Sequence, residues 1–399
     1  MRRGGAVVIL LLLATLLGCA QERSITLWHS YRAQERAALE AMAAEWNVRH
    51  PDQRLELLAV PNDTFPDKIT AAVPRGHGPD LIIHAHDRLG DWIETGIVEP
   101  LEFFADEKLC DRFIGPVLQA MTFRGSLYGL PLAFKSTALF YNRTLVPKPP
   151  ETTDELVALG RTLTDRKAGK FALVYRPARL YDHAPWLHGF GGAIFDDGGK
   201  LDLLGPGALE AVAFAKSLAG PDGIVPAEVE GHLLAALFND GRGAMVISGP
   251  WFIGEIKPGV AYGVAPLPVV SATGKRAAPF LGVEGLMMSS RARNKAQAFE
   301  VMRFLTSDEL ALRRAVEARQ VVANVAVYRD PAVRKDPVIM AFRDQAEHAR
   351  PMAATPEMRM VWTPYDLALQ AIMAQGAEPR AALGEAQKQI LAYLKGAGR

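Results

Sequence analysis

Leu81-Ile82-Ile83 is an apolar run with no polar alternate, and Gly78-Pro79-Asp80 stands directly before it. A strand with one wet face alternates. An unbroken short run instead suits a strand covered on both faces, and such strands belong to parallel sheets flanked by helices. The surrounding segments fit that demand. Ser24 to Trp28 reads as a strand, after which the apolar positions Leu39, Met42 and Trp46 fall at helical spacing up to Pro51. Arg54 to Val60 reads as a second strand. Downstream, helices are expected from Thr153-Asp154-Glu155 through Leu163, over Leu209 to Leu218 and over Leu233 to Phe238. A strand from Ala244 to Ile247 should end at Gly249-Pro250. This alternation makes the fold class α/β. The 399 residues exceed one ordinary core, so two lobes are expected.

The chain opens with Arg2-Arg3 and an apolar stretch from Ala6 to Leu17 broken only by Thr15. That stretch falls short of the roughly 20 residues that cross a bilayer and suits the core of an export signal. Leu16-Leu17-Gly18-Cys19 resembles a bacterial lipobox, which implies removal of residues 1–18 and lipidation of Cys19, with 19–23 as a tether. The expected location is therefore outside the cytoplasm, membrane-anchored in the periplasm or on the outer face of the cytoplasmic membrane. Only one other cysteine, Cys110, is present, so no disulfide framework is available and Cys110 is expected to be a small buried hydrophobe. The formal charge of +1 argues against nucleic acid as a partner.

Four collinear stretches carry a family resemblance. They are Gly78-Pro79-Asp80 through His86-Asp87-Arg88, Tyr128-Gly129-Leu130-Pro131 through Tyr141-Asn142, Phe238-Asn239 through Ser248-Gly249-Pro250-Trp251, and Pro279-Phe280-Leu281-Gly282-Val283. Together they resemble the extracellular solute-binding proteins of ABC importers, in the maltose-binding branch. The resemblance implies a two-lobed periplasmic binding protein fold, class II-like, with a hinge between the lobes. Residues 24–133 and 286–336 would form the N-terminal lobe, and 134–285 and 337–399 the C-terminal lobe. It also implies a monomer that holds an oligosaccharide in its cleft, presents the closed state to the permease subunits of an importer, uses no cofactor and catalyses nothing. A lipid-anchored sensor or adhesin of the same fold is the alternative.

Sugars offer hydroxyl edges and apolar C–H faces, so their sites need charged planar groups and aromatic rings. The resemblance places aromatic platforms at Trp251, Trp362 and Tyr181 and a hydroxyl-binding pair at Asp87 and Arg88. The remaining pocket positions depart from the maltose pattern. Arg32, Lys135 and Arg179 stand where that pattern has carboxylates, Asp366 where it has an arginine, and His84 where it has a tryptophan. This inverted charge leads us to expect a carbohydrate other than plain maltose, with carboxylate- or phosphate-bearing sugars among the candidates.

Three other chemistries fit the residues less well. His84-Ala85-His86-Asp87 has the look of a metal-ligand run, but the other histidines are scattered, so no metal is expected. Asp196-Asp197 are adjacent in a glycine-rich turn rather than facing each other as a glycosidase requires. Gly191-Gly192 and Gly198-Gly199 lack the lysine and the strand-to-helix setting of a phosphate loop.

Overall fold

The computed structural model describes residues 24–397 except 197, 227, 228 and 230; the signal segment 1–18, the tether with Cys19 and Asp197 lie outside the described residues. Ile25–His29 forms β1, burying Ile25, Leu27 and His29. Helix Ala33–Arg49 returns the chain to β2, Leu55–Ala59, and helix Phe65–Ala72 returns it to β3, Leu81–Ala85. β1 lies between the other two and runs parallel to both, with Ile25 opposite Leu55 and Leu27 opposite Leu81. Leu81, Ile82 and Ile83 are all buried, as the unbroken apolar run requires. The Gly78-Pro79-Asp80 punctuation has a physical cause. A Cβ on Gly78 would sit 2.5 Å from Val73 Cγ2, and the Asp80 carboxylate accepts the Thr26 amide at 2.9 Å and the Arg293 amide at 3.0 Å. Burial works against charge on Asp80, but these bonds outweigh it and hold the carboxyl below its ordinary pKa.

The sheet is completed from far along the chain. Gly129–Lys135 forms β4 and Phe280–Met288 forms β9, which pairs antiparallel with β3 on one side and β4 on the other. A second sheet contains β5, Ala138–Asn142; β6, Phe171–Val174; β7, Gly243–Ser248; and β8, Tyr262–Ala265. Within it, β5 is antiparallel to β7 and β8, and β6 is parallel to β7. The chain crosses between the sheets at Ser136-Thr137, where the Ser136 hydroxyl donates to the Phe280 carbonyl at 2.9 Å. Another buried core lies over the second sheet and takes in Leu156, Trp186, Val212 and, from the C-terminal helices, Val361, Leu369 and Ile390. Helices start where local chemistry allows. Thr152 caps Thr153–Leu163 by accepting the Glu155 amide at 3.2 Å. Cys110 ends a one-turn helix and is half-buried rather than buried, a correction to the expectation. Burial and the neighbouring Asp106, Asp111 and Glu107 push its thiol pKa up, so it is a poor nucleophile.

Candidate functional site

In open α/β sheets, ligands meet the carboxyl ends of parallel strands, where loops gather at the switch in strand order. Here those ends are His29 to Arg32 after β1 and His86 to Arg88 after β3. In the second sheet they are Tyr175-Arg176 after β6 and Gly249 to Trp251 after β7. The two sets border a run of neighbouring cavities. One, of about 690 Å³, is lined by Arg32, Glu35, Lys135 and Gln320 from the side of the first sheet and by Pro250 and Trp251 from the second. A neighbouring cavity of about 310 Å³ shares Trp251 and adds Arg176 and Asp182. A third, of about 250 Å³, is lined by Asp87, Tyr181, Met352, Arg359 and Trp362.

Three of the expected aromatic residues lie along this cleft. Tyr181 stands with its ring centroid 6.3 Å from Trp251 and 6.3 Å from Phe280, and Trp362 packs edge-on to Phe280 at 5.7 Å. Trp251 is 45% exposed, a large area for an indole with no role in the core. Its turn is tight, because the ring lies over Gly249, where a Cβ would come within 2.2 Å of it. Phe280 backs Tyr181 and Trp362 from the core, 4% exposed. It belongs to the Pro279-to-Val283 motif, so its place was within reach of the sequence.

The expected charged residues are present, but they are spent on one another. Lys135 Nζ lies 2.8 Å from Glu284 Oε1 and 3.9 Å from Glu35 Oε1. Burial opposes the charge on Lys135, yet the two carboxylates outweigh it and hold the ammonium pKa above its ordinary value. Arg179 Nε meets Asp366 Oδ2 at 3.3 Å, and Asp366 also accepts the Leu180 amide at 2.7 Å. Arg88 reaches Asp87 at 3.8 Å and Asp91 at 3.9 Å, and Asp91 is paired in turn with Arg359 at 2.9 Å. The unexpected pair Arg176–Asp182, at 2.6 Å, adds a further cation and anion. Arg32 alone of the expected cations has no ion pair among the described residues. The inverted charge read from the sequence is therefore largely compensated by Glu35 and Glu284, which came from outside the expected site, and by Asp366, while Asp182 neutralises Arg176.

Asp87 keeps one unsatisfied acceptor. Its Oδ1 is buried with no hydrogen-bond partner in the protein. Burial raises its pKa, while His84 and Arg88 pull it back. A buried carboxylate oxygen without a donor is costly unless a ligand hydroxyl or water supplies one. His84 is placed differently from the expectation. It is 7% exposed, stacks on Phe65 at 4.9 Å and leans on Trp92 at 5.4 Å, so it packs beneath Asp87 and lines none of the three cavities. His86 is also structural. Its Nε2 donates to the Met352 carbonyl at 2.9 Å and its Nδ1 accepts the Val283 amide at 3.1 Å, a pairing that fixes the neutral tautomer. Burial lowers its pKa accordingly. No group of three or more metal-ligating side chains occurs among the described residues.

The model of the family described as bacterial extracellular solute-binding protein matches residues 30–311. A maltotriose-binding protein of Pyrococcus abyssi is 29% identical over 93% of this chain and 83% of its own length. A galactooligosaccharide-binding protein of Bacillus subtilis is 29% identical over 81% of this chain and 78% of its own length. Among solved structures, a cyclo/maltodextrin-binding protein complexed with maltotetraose is 28% identical, with a TM-score of 0.87, covering 94% of this chain and 98% of that one. An extracellular solute-binding protein of Staphylococcus aureus in complex with maltose is 27% identical, with a TM-score of 0.84, over 94% of this chain and 98% of that one. The family model spans more than half of the chain, and the chain's likeness to these solute binders runs over nearly the whole fold, so this chain belongs to the bacterial extracellular solute-binding protein family.

Proposed function

We propose that the chain is the oligosaccharide-binding subunit of an ABC sugar importer and that its ligand is a maltodextrin-class saccharide. The observation that carries this reading is the set of aromatic side chains Trp251, Tyr181 and Trp362 lining the cleft cavities, with Asp87 on the wall that Tyr181 and Trp362 share. Rings take the C–H faces of pyranoses, and the carboxylate accepts a hydrogen bond from a hydroxyl. Charge that is paired within the protein suits a polyol, which needs many directed donors and acceptors and little net field. The relatives named for maltotriose and for maltotetraose point to the same class.

In this reading the two bodies, 24–133 with 286–336 and 134–285 with 337–399, move as lobes about the crossings near Ser136 and Phe280. A saccharide that touches both favours the closed arrangement by its differential affinity, and a permease reads that arrangement. The chain itself carries out no reaction. It is exported, and lipid on Cys19 holds it near the membrane. Calorimetric titration with maltotriose, paired with small-angle scattering, tests the proposal. Saturable binding with a smaller radius of gyration is expected, and absence of both for every maltodextrin tried would refute it.

A further inference from the structure

The parallel strands of the first sheet end at the cleft and begin at an opposite pole. β1, β2 and β3 run the same way and the helices between them carry the chain back, so Ser24, the turn at 50–54 and the turn at 73–80 lie together at the starting end. β9 runs opposite to β3 and delivers residues 289–295 to the same place. There the Ser289 amide donates to the Asp80 carbonyl at 2.9 Å, and the Ser290 hydroxyl donates to the Gly96 carbonyl at 2.6 Å. β1 has five residues, about 17 Å of strand, and that length separates the pole from the cleft.

The whole chain is nearly neutral, at a formal +1, but the pole is not. Its four segments, 50–54, 73–80, 96–99 and 289–295, hold five cations and three carboxylates. Two of the carboxylates are already engaged. Asp80 is buried and meets Arg293 Nη2 at 3.3 Å, and Glu99 meets Lys295 Nζ at 2.6 Å. Arg54, Arg75 and Arg291 are exposed and have no ion pair among the described residues, and within these segments only Asp52 is left to set against them. The route of the tether points to what these cations face. The Ser24 carbonyl accepts Arg293 Nη2 at 3.2 Å, and the Ile25 amide donates to the Arg54 carbonyl at 2.7 Å, so the chain enters the fold between Arg54 and Arg293. Only residues 20–23 stand between Ser24 and Cys19, and five Cα steps span about 18 Å at most. With acyl chains on Cys19, the pole is held within about that distance of the bilayer.

We infer that this pole is a membrane-facing surface that rests on anionic phospholipid headgroups through Arg54, Arg75 and Arg291. The inference goes beyond the sugar-binding reading and takes from it only the lipid on Cys19. Guanidinium forks match the oxygens of a headgroup phosphate. Three of them bind an anionic leaflet weakly by themselves, since each cation within a Debye length of the surface contributes about fivefold to partitioning. Beside an anchor that strength is sufficient, because a short tether makes the second contact intramolecular. The consequence is orientation. With its basic pole on the bilayer, the first lobe holds the cleft about a strand's length clear of the headgroups.

The test measures partitioning of the mature chain, residues 19–399 with Cys19→Ser so that no acyl chain contributes, over a series of vesicle concentrations. One set of vesicles is phosphatidylcholine alone and the other is phosphatidylcholine mixed with phosphatidylglycerol. Binding to the mixed vesicles only is expected, and it should fall steeply from low salt to about 0.15 M. Arg54→Gln, Arg75→Gln and Arg291→Gln combined should lower that partitioning about 100-fold. A control with the same loss of charge, Arg329→Gln, Arg334→Gln and Lys335→Gln combined, should lower it far less, because these cations adjoin the Asp336–Arg319 pair at the cleft. Thermal melts of both triple variants establish folding, and all six positions are exposed. Equal binding to the two kinds of vesicle, no binding to the mixed vesicles in low salt, or equal losses in the two triple variants would overturn the inference. The anchor itself is judged separately, by fractionation of cells carrying Cys19→Ser, so failure of the patch and failure of the anchor are told apart.

Discussion

His183 allows a sharp test of how the second core is built. It is fully buried on helix Leu180–Gly189, both ring nitrogens lack a partner, and burial lowers its pKa to about 3, with His188 adding a smaller effect. The unfolded chain holds a histidine near 6.5, so below that pH the unfolded state binds a proton that the folded state refuses. Stability must therefore fall as pH drops, over the window from about 6.5 down towards 3. Between pH 7 and pH 5 the single-site penalty is about 2 kcal/mol. The figure is insensitive to the folded value, because at pH 5 the folded histidine is neutral whether it titrates at 3 or one unit higher. Urea unfolding followed by tryptophan fluorescence, at both pH values, should show wild type losing about 2 kcal/mol more than His183→Leu. Parallel losses in the two proteins would refute the claim that this ring is held neutral. His188 is lowered to about 4 by burial and should behave in the same sense, although its Nδ1 donates to the Ala278 carbonyl at 2.6 Å and its removal costs that bond as well.

Two further outcomes follow from the same geometry and a third from the sequence. Trp251→Ala should weaken maltotriose about 10- to 100-fold in calorimetry, in line with the loss of one aromatic platform, and leave the melting temperature nearly unchanged because the ring is outside the core. Arg176→Met removes the partner of Asp182, whose side chain is 5% exposed, and should cost about 3 kcal/mol or more in unfolding free energy by leaving a buried carboxylate unpaired. Cys19→Ser should shift the protein from the membrane fraction to the soluble fraction on cell fractionation, and an unchanged distribution would rule out the lipid anchor.

What could be read in advance divides along a physical line. The parallel strands and their helices were legible because their signals are local, such as the unbroken Leu81 to Ile83 run and the helical spacing of Leu39, Met42 and Trp46. Trp251, Tyr181 and Trp362 were reached through motif position, and the structure lines the cleft with them. The misplacement of His84 came from a strand end, where one residue decides between the cleft and the core, and here Phe65 and Trp92 claim the ring. Glu35, Glu284 and Gln320 were out of reach for a different reason. Each is an ordinary polar residue in its own neighbourhood, and their meaning arises only where positions 35, 135, 284 and 320 meet. Reading the cation at Lys135 without its distant partners Glu35 and Glu284 is part of what suggested an acidic ligand.

The position of β9 has a consequence for biosynthesis. This strand separates β3 from β4, yet Phe280 is added 145 residues after Lys135, the end of β4. Until Phe280–Met288 arrives, β4 has no strand to pair with and β3 keeps one ladder edge open, so the amino-terminal half cannot finish folding as it emerges. If the expected leader directs export through a channel that admits only unfolded chain, that delay is useful: a sheet whose interior strand comes more than two-thirds of the way along the 399 residues keeps its first half in a transportable state until most of the chain has been made.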